Sequence, residues 1–156
     1  MDTYLALKTL HIAGAVVFLG NIMVTAWWKV MADRSGDPRV IAFAQRQVTL
    51  TDWVFTFGGV LLLAAGGYGN AALHGIPLAT PWVSLGHWLF VLSGVIWVTV
   101  LIPVQVLQAR LARGFAAGGP IPGRYWQLNR LWLAFGLVAT LLPLGNLYVM
   151  VFKPTY

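Results

Sequence analysis

The sequence predicts an all-α fold, a polytopic membrane protein built as a four-transmembrane-helix bundle, and three observations carry that expectation. Of 156 residues, 59% are hydrophobic and only 9% charged, with a mean hydropathy of +0.77. A soluble domain of this size could not cover so much apolar surface. Four apolar runs, Tyr4 to Trp28, Trp53 to Leu73, Trp82 to Leu107 and Leu131 to Phe152, reach or exceed the roughly 20 residues that a spanning helix needs. The runs are continuously apolar rather than alternating, which selects helices over a barrel.

With their flanking residues the helices are expected over 4–30, 51–73, 81–109 and 126–152, forming one domain over 1–156. Helix 1 follows an N-terminus with no basic region, and its apolar run is too long for a signal-peptide core, so it stays in the membrane. Tryptophans 27, 28, 53, 82, 88 and 126 mark run ends where an interfacial belt would lie. Pro103 and Pro143 predict local kinks in helices 3 and 4. In loop 1, Val40, Phe43, Ala44 and Val48 recur at helical spacing, which suits a short amphipathic helix on the membrane surface. Loop 3, rich in Gly and Pro from Gly114 to Gly123, reads as irregular.

Charge sets the orientation. Loop 1 carries Lys29, Arg34, Arg39 and Arg46, loop 3 carries Arg110, Arg113, Arg124 and Arg130, and loop 2 around His74 to Thr80 carries no Lys or Arg. The positive-inside rule places loops 1 and 3 in the cytoplasm. The chain is therefore expected in a bacterial inner membrane with both termini on the periplasmic side. The net charge of +6 is dispersed among loops, not gathered on one face, so no nucleic-acid partner is expected. The lipid bilayer is the expected partner, with room for a membrane redox partner or a homo-oligomer. The absence of cysteine and of glutamate removes disulfides, thiolate-held iron and the His-Glu-x-x-His type of zinc site.

Ionisable and polar groups within a bilayer are costly, which makes each of the few present a candidate. His11 in helix 1 and His87 in helix 3 both fall roughly 8 to 12 Å below the outer boundary at 1.5 Å of rise per residue. Two imidazoles at one depth on different helices of a bundle can hold a haem iron from both faces. The expected cofactor is therefore haem b, with His11 and His87 as metal ligands. Gly14 beside His11, and Ser84, Gly86 and Gly94 beside His87, would give a porphyrin clearance. Lys8, one turn outward of His11 on the face it shares with Tyr4, could meet a propionate. Asn146 in helix 4, near the same depth, could bond to a ligand. The competing reading makes the histidines helix–helix hydrogen-bonding groups, the glycines close-packing positions and Lys8 a snorkelling cation. Asn21 reads as interhelical glue, and Asp52, after Thr49 and Thr51, as part of a helix N-cap within reach of Arg46.

The segments Tyr4 to Ala15, Ala32-Asp33-Arg34-Ser35-Gly36-Asp37 and Thr51-Asp52-Trp53 resemble a bacterial family of predicted four-helix integral membrane proteins of unknown function. Through Lys8 and His11 that family is distantly similar to the membrane protoporphyrinogen oxidase and copper-resistance D families. These relatives imply haem, a porphyrin or copper in the outer half of the bundle. Copper is disfavoured, since Cu(I) prefers Cys and Met and Met23, Met31 and Met150 form no cluster at one depth. Three functions stand side by side: a bis-histidine haem b protein for electron transfer, a protoporphyrinogen oxidase-like enzyme with one open axial site, and an accessory or scaffold subunit. In the last, Gly58, Gly59, Gly66 and Gly67 of helix 2 would form a close-packing face for a partner.

Overall fold

The computed structural model describes residues 2–154 and consists of four long helices, each apolar and long enough to cross a membrane: α1 (Thr3–Ser35), α2 (Pro38–Leu73), α3 (Pro81–Phe115) and α4 (Gly123–Phe152). Asp2 caps α1 by accepting a hydrogen bond from the Tyr4 N–H at 3.0 Å. Gly36 ends it in the left-handed region at φ 68°, a conformation glycine adopts without a Cβ penalty. Asp37 then accepts from the Arg39 N–H at 2.8 Å and Pro38 occupies the first turn, where its missing N–H costs nothing.

The loop-1 helix and the second span prove to be one continuous helix of 36 residues, not two elements joined at 51. Asp52 has helical dihedrals of φ −63° and ψ −42°, so it is not an N-cap. The Thr51 hydroxyl bonds back to the Gln47 carbonyl at 2.9 Å, a partner available only within a helix. At roughly 54 Å by helical rise, α2 exceeds a hydrocarbon core of about 30 Å, and so do the extensions of α1 to Ser35 and α3 to Phe115. In the first part of α2 the buried face is Ile41, Ala44, Gln45 and Val48, while Val40 and Phe43 are exposed. Of the four apolar positions that suggested an amphipathic helix, Ala44 and Val48 face the bundle and Val40 and Phe43 face outward.

Each of the two middle helices contains a single π-helical turn, at Asp52–Thr56 in α2 and Trp97–Leu101 in α3. The second lies immediately before Pro103, whose ring and missing N–H disrupt ordinary α-hydrogen bonding in the preceding turn. Pro143, by contrast, is buried within an uninterrupted α4.

The two ends of the bundle are packed differently. At the end bearing the α1–α2 and α3–α4 loops, here the basic end, all four helices close around Val48, Leu101, Val104, Leu128 and Trp132, with a second cluster of Ile41, Ala112, Phe115 and Tyr125 beyond it. Toward the other end the chain divides into two helix pairs, α1 with α2 and α3 with α4, and the backbones of the last part of α2 and the first part of α3 do not approach closely.

Glycines hold the first pair. A Cβ on Gly66 would lie 2.5 Å from the His11 nitrogen and 2.6 Å from the Leu7 carbonyl, and one on Gly59 would lie 2.8 Å from the Phe18 nitrogen. Backbone cannot yield as a flexible side chain can. The substitution Gly66→Ala is therefore expected to destabilise the detergent-solubilised protein by about 1–3 kcal/mol, read as a lower Tm. Gly58→Ala, where a Cβ meets nothing within 4 Å, should leave Tm unchanged or raise it.

Candidate functional site

Both intramembrane histidines meet α2 within little more than one turn. The His11 Nδ1 lies 2.7 Å from the Leu63 carbonyl. A carbonyl only accepts, so Nδ1 carries the proton and Nε2 presents its lone pair. The His11 ring lies against Gly67, where a Cβ would come within 2.9 Å of Cε1 and Nδ1. One residue further along α2, the Tyr68 hydroxyl lies 2.7 Å from the His87 Nδ1. This bond bridges the seam between the two helix pairs. Tyr68 and Trp88 meet the His87 ring edge-on at 5.9 and 5.4 Å. Neither of the two principal cavities touches either histidine.

The other residues singled out around the histidines take separate places. Gly14 gives its clearance to α2, since its missing Cβ leaves room for the backbone of Gly59 and Leu63; it is a helix-packing position. Asn146 donates from Nδ2 to the Gly86 carbonyl at 3.1 Å and its Oδ1 is buried without a partner, so its bond runs to the residue before His87 and not to the imidazole. Gly94 faces open space. Lys8 is exposed, its ammonium 5.5 Å from the Tyr4 ring centroid. His74, at the end of α2, packs edge-on to the same Tyr4 ring at 4.9 Å. Gly59, Gly66 and Gly67, read as a face for a partner, are covered by α1 of the same chain.

A second polar centre, absent from the sequence reading, lies at the basic end. Lys29 was counted as a loop cation, yet it sits inside α1 and is fully buried, at 0% exposure. Its ammonium contacts both Asp33 oxygens at 3.0 and 2.7 Å, the Tyr125 hydroxyl at 2.8 Å and Asn129 Oδ1 at 2.9 Å. The Tyr125 hydroxyl donates in turn to Asp33 Oδ1 at 3.2 Å, and Gln108 donates to Asn129 Oδ1 at 3.3 Å. The rings of Tyr125 and Trp132 lie 4.9 and 5.8 Å from the ammonium. A buried charge needs this completeness, because three N–H donors must find acceptors where water is excluded. The signal was available in the spacing: Lys29 with Asp33 on α1 and Tyr125 with Asn129 on α4 are both i,i+4 pairs.

A third polar group surrounds the π turn of α2. Asn21 bridges α1 to α2, donating to Thr56 Oγ1 at 2.9 Å and approaching the Thr51 carbonyl and Asp52 Oδ1 at 3.4 and 3.5 Å. The Thr56 hydroxyl donates to Asp52 Oδ1 at 2.9 Å. Asp52 makes no ion pair with Arg46; the one salt bridge among the described residues is Lys29–Asp33.

With four spanning-length helices and these buried polar groups in place, comparison with known families is decisive at the level of class. A family model described as "Predicted integral membrane protein (DUF2269)" matches residues 5–154. The chain belongs to this family. No curated protein and no solved structure matches it, so the likeness to the protoporphyrinogen oxidase and copper-resistance D families has no support from these comparisons. Among the described residues no group of three or more His, Asp or Glu side chains could hold a metal ion.

The Lys29 centre makes a direct prediction for this family member. Removing one partner of a buried ion pair leaves the other uncompensated, at a cost of about 3–5 kcal/mol. Lys29→Met should lower Tm markedly in detergent, whereas Arg34→Met, an exposed neighbour, should change it by no more than about 0.5 kcal/mol equivalent.

Proposed function

We propose that the protein is a small haem b-binding protein of the bacterial inner membrane that transfers electrons, with His11 and His87 as the two axial ligands. One observation carries this reading: each imidazole is anchored through Nδ1, to the Leu63 carbonyl and the Tyr68 hydroxyl respectively, and neither Nε2 has a protein hydrogen-bond partner among the described residues. The Leu63 carbonyl fixes the His11 ring and its tautomer and strengthens its Nε2 as a donor to a metal, while the Tyr68 hydroxyl, which can donate or accept, fixes the orientation of the His87 ring. A metal at the His87 Nε2 would leave the ring proton on Nδ1, donated to the Tyr68 oxygen, and so match His87 to His11.

The residues fit the group in two further respects. A two-imidazole donor set suits a haem, whose porphyrin fills the remaining four positions, better than a bare ion. The backbones of the facing segments of α2 and α3 stay apart and the segments touch through Tyr68 and His87, so the seam between the helix pairs, and not an internal cavity, is where a flat ring would be held. His11 and His87 would hold the iron, Lys8 would meet a propionate at the membrane surface, and Gly67 keeps the His11 ring clear of side-chain crowding. When bound, such a group would supply one-electron chemistry. All seven arginines are exposed and lie at the basic end, which by the positive-inside rule is the cytoplasmic side and puts the histidine layer in the periplasmic half.

A reduced-minus-oxidised visible spectrum of the detergent-purified protein, supplemented with haem, tests this. A sharp b-type α-band is expected, lost in both His11→Ala and His87→Ala. Tyr68→Phe should keep the band but raise the midpoint potential, because His87 loses the acceptor that strengthens it. Absence of a Soret band after supplementation, or a band indifferent to both alanine variants, would overturn the reading.

A further inference from the structure

The larger cavity, about 240 Å³, lies in the half of the bundle away from the histidines, where all four helices contribute to its wall. Three of its residues also line a smaller cavity of about 10 Å³ on the far side: Asp52, Trp97 and Gln105. They form a polar partition between the two. Asp52 and Trp97 are the opening residues of the two π-helical turns. Such turns account for well under 1% of residues and occur frequently at functional sites. Their convergence on one cavity is the first observation.

The second is the chemistry of the wall. Asp52 has neutral partners only: Thr56 and Asn21 donate to it, the Gln105 and Trp97 side chains lie beside it, and no described basic side chain lies within ion-pair distance. A carboxylate away from water without a counter-charge is costly. The Trp97 Nε1–H is buried beside Asp52 without a well-aligned hydrogen bond. Gln105, only 4% exposed, engages Trp132 at 3.4 Å through its carbonyl oxygen, and its amide nitrogen makes no hydrogen bond to a described residue. The rest of the wall is mainly apolar and includes the Trp132 ring.

The third is the mouth. Met23 of α1 and Leu133 and Leu137 of α4 line the cavity while being 54%, 38% and 62% exposed. The opening therefore faces the lipid between α1 and α4. A ligand arriving that way must be soluble in the bilayer, yet the site lacks a positive charge.

We propose that this cavity binds a small lipophilic ammonium ion, one ring or a short chain in size, that enters from the bilayer between α1 and α4 and takes Asp52 as its counter-ion. The indole faces of Trp97 and Trp132 suit a cation, and the aliphatic wall takes its apolar body. The site is separate from the histidine layer and does not depend on what that layer holds.

The test uses the full chain in detergent and benzylammonium chloride as the probe, followed by quenching of tryptophan fluorescence and by calorimetry, with benzyl alcohol as the uncharged counterpart. Saturable binding of benzylammonium is expected, with benzyl alcohol at least tenfold weaker. Asp52→Asn should weaken benzylammonium at least tenfold and leave the alcohol unaffected. Gly136→Leu fills the cavity at a position where a Cβ meets nothing within 4 Å, and it should abolish binding of both. Each variant is compared at matched Tm and monodisperse elution, and Gly136→Leu keeps the test open should Asp52→Asn fail to fold. No saturable benzylammonium binding to the folded wild type, equal affinity for the alcohol, or unchanged binding in the folded variants would overturn the proposal.

Discussion

The buried ammonium of Lys29 is the constraint on which the rest of the bundle depends. A charge with no access to water must have every proton accepted, and only α4, through Tyr125 and Asn129, can complete what Asp33 begins on α1. The first and last helices are thereby locked together at the basic end, with Gln108 of α3 drawn into the same network. The apolar clusters around Trp132 and Phe115 pack against that lock. In a bilayer, where burial of apolar surface gives helices little reason to associate, such polar contacts and close packing carry the specificity.

No comparable lock exists toward the other end. There α1 and α2 approach through Gly14, Gly59 and Gly66, and α3 and α4 through Gly86, Ser93 and Asn146. Each pair satisfies its own contacts and leaves a seam, bridged by the Tyr68–His87 hydrogen bond. The molecule thus has a closed half that fixes the fold and a parted half that holds both anchored imidazoles. Within the closed half the two π-helical turns place Asp52 and Trp97 on a common cavity.

The four helices and their all-α class could be read from hydropathy because lipid forces backbone hydrogen bonds to be made within each segment. Helix ends were less legible. Thr51-Asp52 has the composition of a cap, but Asn21 and Thr56 supply Asp52 with partners that keep it within a helix, and no local pattern announces them. Glycines also read ambiguously: the same composition on α2 suits a partner or a neighbouring helix, and only the register of His11 and Phe18 against Gly66 and Gly59 decides it. Charge counting assigns Lys29 to a loop; the i,i+4 spacing of each pair was legible, but that Tyr125 and Asn129, about a hundred residues away, meet Lys29 was not. His11 and His87 could be singled out because so few ionisable groups occur in the spans, though their attachment through Leu63 and Tyr68 could not.

The measurement that bears most directly on the central claim is low-temperature electron paramagnetic resonance of the oxidised, haem-loaded protein in lipid nanodiscs. Two imidazoles on one iron produce a low-spin ferric signal, which is expected as the dominant species and should convert to high-spin in either His11→Ala or His87→Ala. A dominant high-spin signal in the wild type, or a low-spin signal that survives both substitutions, would contradict the assignment of His11 and His87 as a ligand pair.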